Sequence, residues 1–328
     1  MNSDPYKLKV FGLESQTAFD QLALEIFRFQ YNNNQPYRTF VDGVCRDISA
    51  IKHYSQIPCL PVEFYKTHKI TSTDALPELV FRSSGTTGQV KSTHNVYSEE
   101  VYRQSILQIF THFYGEPSQY IICALTPDSR THKDSSLAYM LNYLAELSSY
   151  EESGFYLGEE NKLAEILIDH PETKKIVFGV TYALINFSEQ HSFPLQNTII
   201  IETGGMKGKM KEMTRVEVHK VLSKAFSCPI HSEYSMAELM SQAYMTDSGA
   251  FACPSWMKIL IREANNPMAL APEGKTGGIN IIDLANYHTC SFISTKDLGS
   301  LHHDKTFEVL GRFDFSDIRG CNLLSVEL

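Results

Sequence analysis

Between residues 83 and 91 the chain crowds four hydroxyls, two glycines and a lysine into one run, Ser83-Ser84-Gly85-Thr86-Thr87-Gly88-Gln89-Val90-Lys91, with Ser92 following. Those residue types suit a loop that holds polyphosphate. Glycines let the backbone turn its N–H groups inward, hydroxyls add hydrogen bonds, and one lysine supplies a compact positive charge. The P-loop pattern of ordinary NTPases requires glycine directly before Lys-Ser, and Val90 stands there, so that motif is not matched. A Ser/Thr/Gly-rich surface turn is the plain alternative. A second stretch of interest is Glu202-Thr203-Gly204-Gly205, which follows an apolar run and precedes a capped helix. That places it at a strand's carboxyl end, where open α/β sheets bind ligands and where paired glycines admit a flat ring.

The elements that must position these residues follow from periodicity. Leu79-Val80-Phe81 reads as a strand leading into the first loop, and Tyr97 to Tyr114 as the helix leaving it, with Tyr102, Ile106, Phe110 and Phe113 near one face. Upstream, Ala18 to Phe29 is amphipathic and is ended by Asn32-Asn33-Asn34, after which residues up to 80 read as irregular. Ile57-Pro58-Cys59-Leu60-Pro61 must be extended, because proline disfavours helix in the residue before it. Downstream the chain alternates. Strands are predicted over Tyr120 to Leu125, Lys175 to Val180 and Thr198 to Glu202, and helices over Ser135 to Leu147 and from Tyr182 to Phe187. Thr214 and Glu217 form a capping-box pair that starts a helix running to Phe226. From Met257 onward closely spaced strands dominate: Met257 to Arg262, Gly278 to Leu284, Thr289 to Ser294 and Phe307 to Leu310. The expectation is an α/β fold with largely parallel sheet, in which residues 1–250 carry the phosphate loop and a nucleotide site, 251–310 form a smaller β-rich subdomain, and 311–328 form a hinge remnant and tail.

Composition narrows the function classes. A chain of 328 residues, 43% apolar, 20% charged and of net charge −9, is an ordinary globular protein with no basic stretch to serve nucleic acid. No apolar run reaches the ~20 residues of a membrane span and no signal-like start is seen, so the expected compartment is the cytoplasm. The seven cysteines are scattered without a CxxC pair and read as reduced thiols, and the twelve histidines show no zinc-ligand spacing. Any metal is expected to arrive with a nucleotide.

Four further motifs follow the phosphate loop in order, and together they resemble the adenylate-forming superfamily of acyl-CoA synthetases, peptide-synthetase adenylation domains and acyl-protein synthetases. The run SSGTTGxxK is similar to its phosphate loop. Gly204 and Gly205 match its turn bordering adenine. Ser232-Glu233-Tyr234-Ser235-Met236-Ala237-Glu238 resembles its Y-G-x-T-E motif, which implies that Glu233, Tyr234 and Ser235 line the nucleotide, that Tyr234 stacks on adenine and that Glu238 holds Mg²⁺. Ser235 replaces the usual glycine, and Ala237 the threonine whose hydroxyl contacts the α-phosphate. Ser294-Thr295-Lys296-Asp297 resembles the T-G-D motif, implying that Asp297, expected at a strand end, accepts both ribose hydroxyls. Gly311-Arg312-Phe313-Asp314 resembles GRxD, implying that Arg312 contacts the ribose. A chain ending at Leu328 implies no C-terminal lid domain, as in the short branch of acyl-protein synthetases and related acyl transferases, which this sequence resembles over nearly its whole length. In that branch the acyl group passes from acyl-AMP to a cysteine near the C-terminus and then to a partner reductase; Cys321 occupies the matching position, with Arg319 beside it.

The resemblance implies activation of a carboxylic acid, fatty in that branch, by ATP and Mg²⁺. Lys91, with Ser83, Ser84, Thr86 and Thr87, would hold pyrophosphate, and Lys91, Thr86, Glu238 and Cys321 would be the catalytic set. The acyl acceptor would be Cys321, a carrier protein or coenzyme A. Tyr182, Leu184, Ile185, Phe187 and Phe193 could wall an apolar acid pocket or simply form core. Two other functions stay open: a nucleotide- or acyl-binding scaffold, suggested by Ala237 and Lys296, and an acyltransferase that never uses ATP. The adenylation reading requires Lys91, Tyr234, Glu238 and Asp297 to converge on one cleft.

Overall fold

The computed structural model describes residues 6–84, 90–205, 213–264, 266 and 268–313. Its N-terminal part is helical: α1 (Lys7–Phe11), α2 (Gln16–Asn33) and α3 (Gln35–Val44). Asn34 both ends α2 and starts α3, since its side chain accepts from the Tyr37 N–H and Pro36 occupies the first turn, where a missing N–H costs nothing. The predicted helix over Ala18 to Phe29 is therefore longer at both ends, and α3 replaces what the sequence left irregular. The Ile57 to Pro61 segment is extended, as expected, and its end forms β1 (Leu60–Pro61). A short α4 (Phe64–Thr67) follows.

β2 (Leu79–Arg82) does not feed a helix through the polar loop; it pairs antiparallel with β3 (Thr93–Val96), so the loop closes a two-stranded hairpin, and only then does α5 (Glu99–Tyr114) begin, capped by Ser98. β3 was missed because Thr93, His94 and Asn95 are polar, although His94 and Val96 are buried. β4 (Tyr120–Leu125) is buried at every position, as its unbroken apolar run requires. Then follow α6 (Ser136–Glu146), β5 (Gly154–Phe155), α7 (Glu160–Asp169), β6 (Lys174–Val180), α8 (Thr181–Gln190), β7 (Thr198–Thr203), α9 (Arg215–Phe226) and β8 (Ile230–Tyr234). α9 has both reciprocal bonds of the predicted Thr214–Glu217 capping box. The remainder is β9 (Ala243–Met245), β10 (Phe251–Ala252), β11 (Met257–Arg262), β12 (Gly277–Asp283), β13 (Phe292–Leu301) and β14 (Phe307–Arg312).

One twelve-stranded mixed sheet results, in the order β11-β12-β13-β14-β10-β9-β8-β7-β6-β4-β5, with β1 added parallel to β13. Strands β5, β4, β6, β7 and β8 pair in parallel, and from β8 to β11 every pair is antiparallel. Alternation along the parallel strands divides the core. Ile121, Cys123, Val177 and Ile200 pack with α7, α8 and α9, while Ile122, Ile176, Phe178 and Ile201 pack into the larger core with α2, α5 and α6. Leu184, Ile185 and Phe187 are buried in the smaller core, Phe187 stacking on Phe226 at 5.5 Å, so these residues are core packing.

The N-terminal helices are tied to the far end of the chain by buried polar bonds. The Gln30 amide donates to the Asn286 and Tyr287 carbonyls at 3.1 and 3.0 Å and to Ser291 Oγ at 3.2 Å, while its oxygen accepts the Ser291 N–H at 3.0 Å. Asn34 Nδ2 and Ser72 Oγ both donate to the Thr289 carbonyl. Thr289 thus belongs to a buried junction and not to β13, which starts three residues later and runs well past Asp297. Among the described residues no helix is long and apolar enough to cross a membrane, and no three or more His, Cys, Asp or Glu side chains cluster for a metal.

Candidate active site

The site grows from the carboxyl end of β7. Gly204 and Gly205 follow it with φ of 75° and 63°, a left-handed pair that residues with a Cβ adopt only under strain. The two side chains before them point to opposite faces. Glu202 accepts from Thr181 Oγ1 at 2.8 Å and Ser232 Oγ at 2.6 Å, with Arg215 Nε at 3.6 Å and His219 Nε2 bonded to the same Ser232 hydroxyl. Burial pulls the Arg215 guanidinium below its usual pKa, partly offset by Glu202, and its plane covers the Phe251 ring at 4.6 Å. This network binds the starts of α8 and α9 to β7 and β8, directly before the Gly-Gly turn. Thr203 faces the other way and donates to Glu233 Oε2. Glu233 is fully enclosed; desolvation pushes its carboxyl above the usual range, with the Ser235 and Thr203 hydroxyls pulling back, and Oε1 has no hydrogen-bond partner.

β8 ends in Tyr234, whose ring packs against Phe251 and Phe307 at 5.8 and 5.7 Å and whose hydroxyl donates to Asp297 Oδ2 at 2.8 Å. Asp297 does not end a strand. It lies within β13 opposite Arg312 of β14, beside an irregularity in their register, and Arg312 Nε reaches its Oδ1 at 3.2 Å. Only 8% exposed, the carboxylate has one bond on each oxygen, and Arg312 is exposed. Lys296, in the place of the motif's glycine, pairs with Glu63 at 2.7 Å. Behind β13 the buried Arg262 donates to the Ile279 and Thr295 carbonyls and to Asn280 Oδ1, filling space that a side chain on Gly278 would take.

The ends of the phosphate loop are clamped together: the Ser83 N–H donates to the Ser92 carbonyl at 3.2 Å and the Ser92 N–H to Ser83 Oγ at 3.1 Å. Ser84 and Lys91 are exposed, whereas Gly85, Thr86, Thr87 and Gly88 lie outside the described residues. The Ser92 hydroxyl is buried beside the Glu238 carboxyl without a closed hydrogen bond. Glu238 sits in the turn after β8, only 6% exposed, so it is no solvated helix residue. Burial raises its pKa, opposed by Ser92 and by the positive charges of Arg312 and Lys66. Arg312 therefore acts on both Glu238 and Asp297. The structure joins Tyr234, Asp297 and Arg312 directly and brings Glu238 within their field, with Lys91 one residue from the serine facing Glu238. Asp314, Met206 to Gly208, Arg319 and Cys321 lie outside the described residues.

Sequence reading assigned no role to the supports of the Glu238 turn. His94 is buried, with Nδ1 2.8 Å from the Ala237 carbonyl and Nε2 3.1 Å from Asn286 Oδ1 and 3.2 Å from Thr289 Oγ1. Asn286 Nδ2 donates to the Glu238 carbonyl at 2.8 Å. Asp283, fully buried and pushed up to about 6 by desolvation, accepts from the Met240 N–H and Ser241 Oγ. The only signal for these in the sequence was polar side chains interrupting apolar strands.

A family model described as acyl-protein synthetase, LuxE, matches residues 1–327. Among solved structures, an open conformation of 2-hydroxyisobutyryl-CoA ligase with 2-HIB-AMP and CoA is similar with a TM-score of 0.68 and 13% identity, over 91% of this chain and 70% of that one. The same ligase in its postadenylation state gives 0.64 and 14%, over 96% and 72%. ATP-bound MatB from Rhodopseudomonas palustris gives 0.52 and 14%, over 71% of this chain and 47% of that one, so the present chain spans under half of MatB. At such identities the likeness is one of fold: an α/β sheet matching the N-terminal core of adenylate-forming ligases. No curated protein matches the chain by sequence.

Proposed function

The chain belongs to the LuxE acyl-protein synthetase family, and from that premise we propose that it activates a carboxylic acid with ATP and passes the acyl group to a thiol. The carboxylate oxygen attacks the α-phosphorus, the bond to pyrophosphate breaks, and acyl-AMP forms. A thiolate then attacks the acyl carbon and AMP leaves, taking the bonding pair. The observation that carries this reading is the joining of Tyr234, Asp297 and Arg312 in one hydrogen-bonded set whose arginine also exerts its charge on Glu238, which lies against Ser92 at the clamped end of a hydroxyl- and glycine-rich loop. Asp297 would accept from the ribose with lone pairs not used by Tyr234 and Arg312. Lys91, Ser83 and Ser84, with Thr86 and Thr87, would hold the departing pyrophosphate. Gly204 and Gly205 would border adenine.

Mg²⁺ fits the donors present. It favours one or two carboxylates completed by phosphate oxygens, and Glu238 beside the unpartnered Ser92 hydroxyl offers such a set. When bound it neutralises charge developing on the phosphates. The acceptor thiol is sought outside the core. Burial pushes Cys59, Cys123 and Cys228 up to about 12, and Cys253 and Cys290 higher still, so near neutrality almost none is thiolate. Of the two other thiols, the half-buried Cys45 ends α3, and the family's chemistry singles out Cys321, with a carrier protein or coenzyme A as the alternative acceptors. The acid is taken to be fatty on the family's chemistry, with a reductase or carrier as the receiving partner.

ATP–pyrophosphate exchange with a panel of fatty and aryl acids tests the first step, and intact mass after incubation with ATP, Mg²⁺ and mixed acids tests the second. No exchange with any acid ends the adenylation reading. ATP binding without exchange supports a scaffold role, which Ala237 favours by lacking the motif's hydroxyl. An acyl-enzyme formed from acyl-CoA without nucleotide, and lost in Cys321→Ser, supports an acyltransferase.

A further inference from the structure

We propose that His94 is a positioning residue for the divalent-cation site, fixing the turn that carries Glu238 relative to the phosphate-loop hairpin; this deepens the adenylation reading and rests on it. The Ala237 carbonyl only accepts, so Nδ1 carries the imidazole proton and donates to it across 2.8 Å. Nε2 is then an acceptor, and the nearby hydroxyl of Thr289 is its donor at 3.2 Å. Burial takes the ring's pKa down to about 4, which keeps it in this neutral form at working pH. One residue beyond, the Glu238 carbonyl is held by Asn286, whose own oxygen lies against the same Thr289 hydroxyl, so that one proton is shared between Nε2 and Oδ1. Consecutive carbonyls of the turn, at Ala237 and Glu238, are thus gripped by one junction. His94 lies two residues past Ser92, whose hydroxyl faces the Glu238 carboxyl. A shift of the hairpin therefore moves Ser92 and, through the imidazole, the backbone under Glu238 together. The motif's threonine-to-alanine change removes a side-chain contact at 237, and the position is held instead through its carbonyl.

The test compares His94→Gln, His94→Asn and Thr289→Val. An asparagine amide nitrogen takes the place of Nδ1 and retains the bond to Ala237, whereas glutamine mimics Nε2 and loses it. Half-saturating Mg²⁺ in pyrophosphate exchange should rise about 5- to 10-fold in His94→Gln and in Thr289→Val and return to within about twofold in His94→Asn, with thermal midpoints of the folded variants close to wild type. Mn²⁺ titrated with ATP and followed by electron paramagnetic resonance should show the same order without relying on turnover. If Thr289→Val and whichever histidine variants fold bind Mn²⁺ as wild type does, the inference is overturned and His94 is a packing residue. If wild-type protein performs no exchange, the adenylation reading fails, while the Mn²⁺ series still decides the role of His94.

Discussion

Tyr234→Phe removes a single oxygen and leaves the ring among Phe251 and Phe307. That oxygen donates to Asp297 Oδ2 at 2.8 Å, and Arg312 Nε holds the other oxygen at 3.2 Å. With the phenol gone, the carboxylate keeps one partner, on an exposed arginine, and can swing about it. A hydrogen bond to a charged group contributes about 1.5–3 kcal/mol. If Asp297 grips the ribose equally in ground and transition states, the loss appears as weaker ATP binding, a KM for ATP raised about 10- to 100-fold with kcat nearly unchanged. The assay is pyrophosphate release at saturating acid over a range of ATP, alongside a melting curve to exclude unfolding. A KM that stays put or falls would refute the reasoning, because it would mean that the phenol competes with the ribose for the carboxylate instead of aiming it.

Glu238→Gln keeps the shape of the turn but removes the charge a cation needs; exchange should fall by roughly 10²–10³-fold, as for other lost charge-stabilising groups, while the melting point holds or rises because a desolvated charge is gone. Unchanged exchange would remove Glu238 from the site. Stability should depend on pH in two opposed ways. His94, lowered from 6.5 to about 4, withdraws about 3 kcal/mol as pH falls between those values, whereas Asp283, raised from 3.8 to about 6, adds a similar amount as pH falls across its own window. Urea unfolding at pH 7 and pH 4 should therefore show His94→Asn gaining about 3 kcal/mol relative to wild type on acidification, and parallel curves would reject the assignment. Gly299→Ala would place a Cβ 2.2 Å from the Glu308 carbonyl oxygen, so β13 and β14 must part where they carry Asp297 and Arg312; a loss of about 1–3 kcal/mol in thermal or denaturant unfolding is expected, and a wild-type curve would show that the strands accommodate it.

What the sequence disclosed depended on how locally each feature is determined. β4 and α9 were readable to the residue, because an unbroken apolar run and a capping box are properties of neighbouring side chains. The types of the site residues were readable for the same reason. Asp297 was misplaced at a strand end since a carboxylate seldom sits inside a strand; here Tyr234 and Arg312, distant in sequence, satisfy it. The hairpin β2–β3 was missed because His94, a polar residue on a buried face, only makes sense once Asn286 and Thr289 are placed against it. α3 escaped because Asn34 signals an end and a beginning equally well.

The bonds from Gln30 to residues 286–291, and the pairing of Leu60 with Ile293, carry a consequence for how the molecule is made. As the polypeptide leaves the ribosome, the first helices emerge long before the segment that completes their buried surface. Loop closure over more than two hundred residues must precede any reward from those contacts. The contacts that fix the N-terminal helices onto the sheet therefore form only after residues 286–293 have been made.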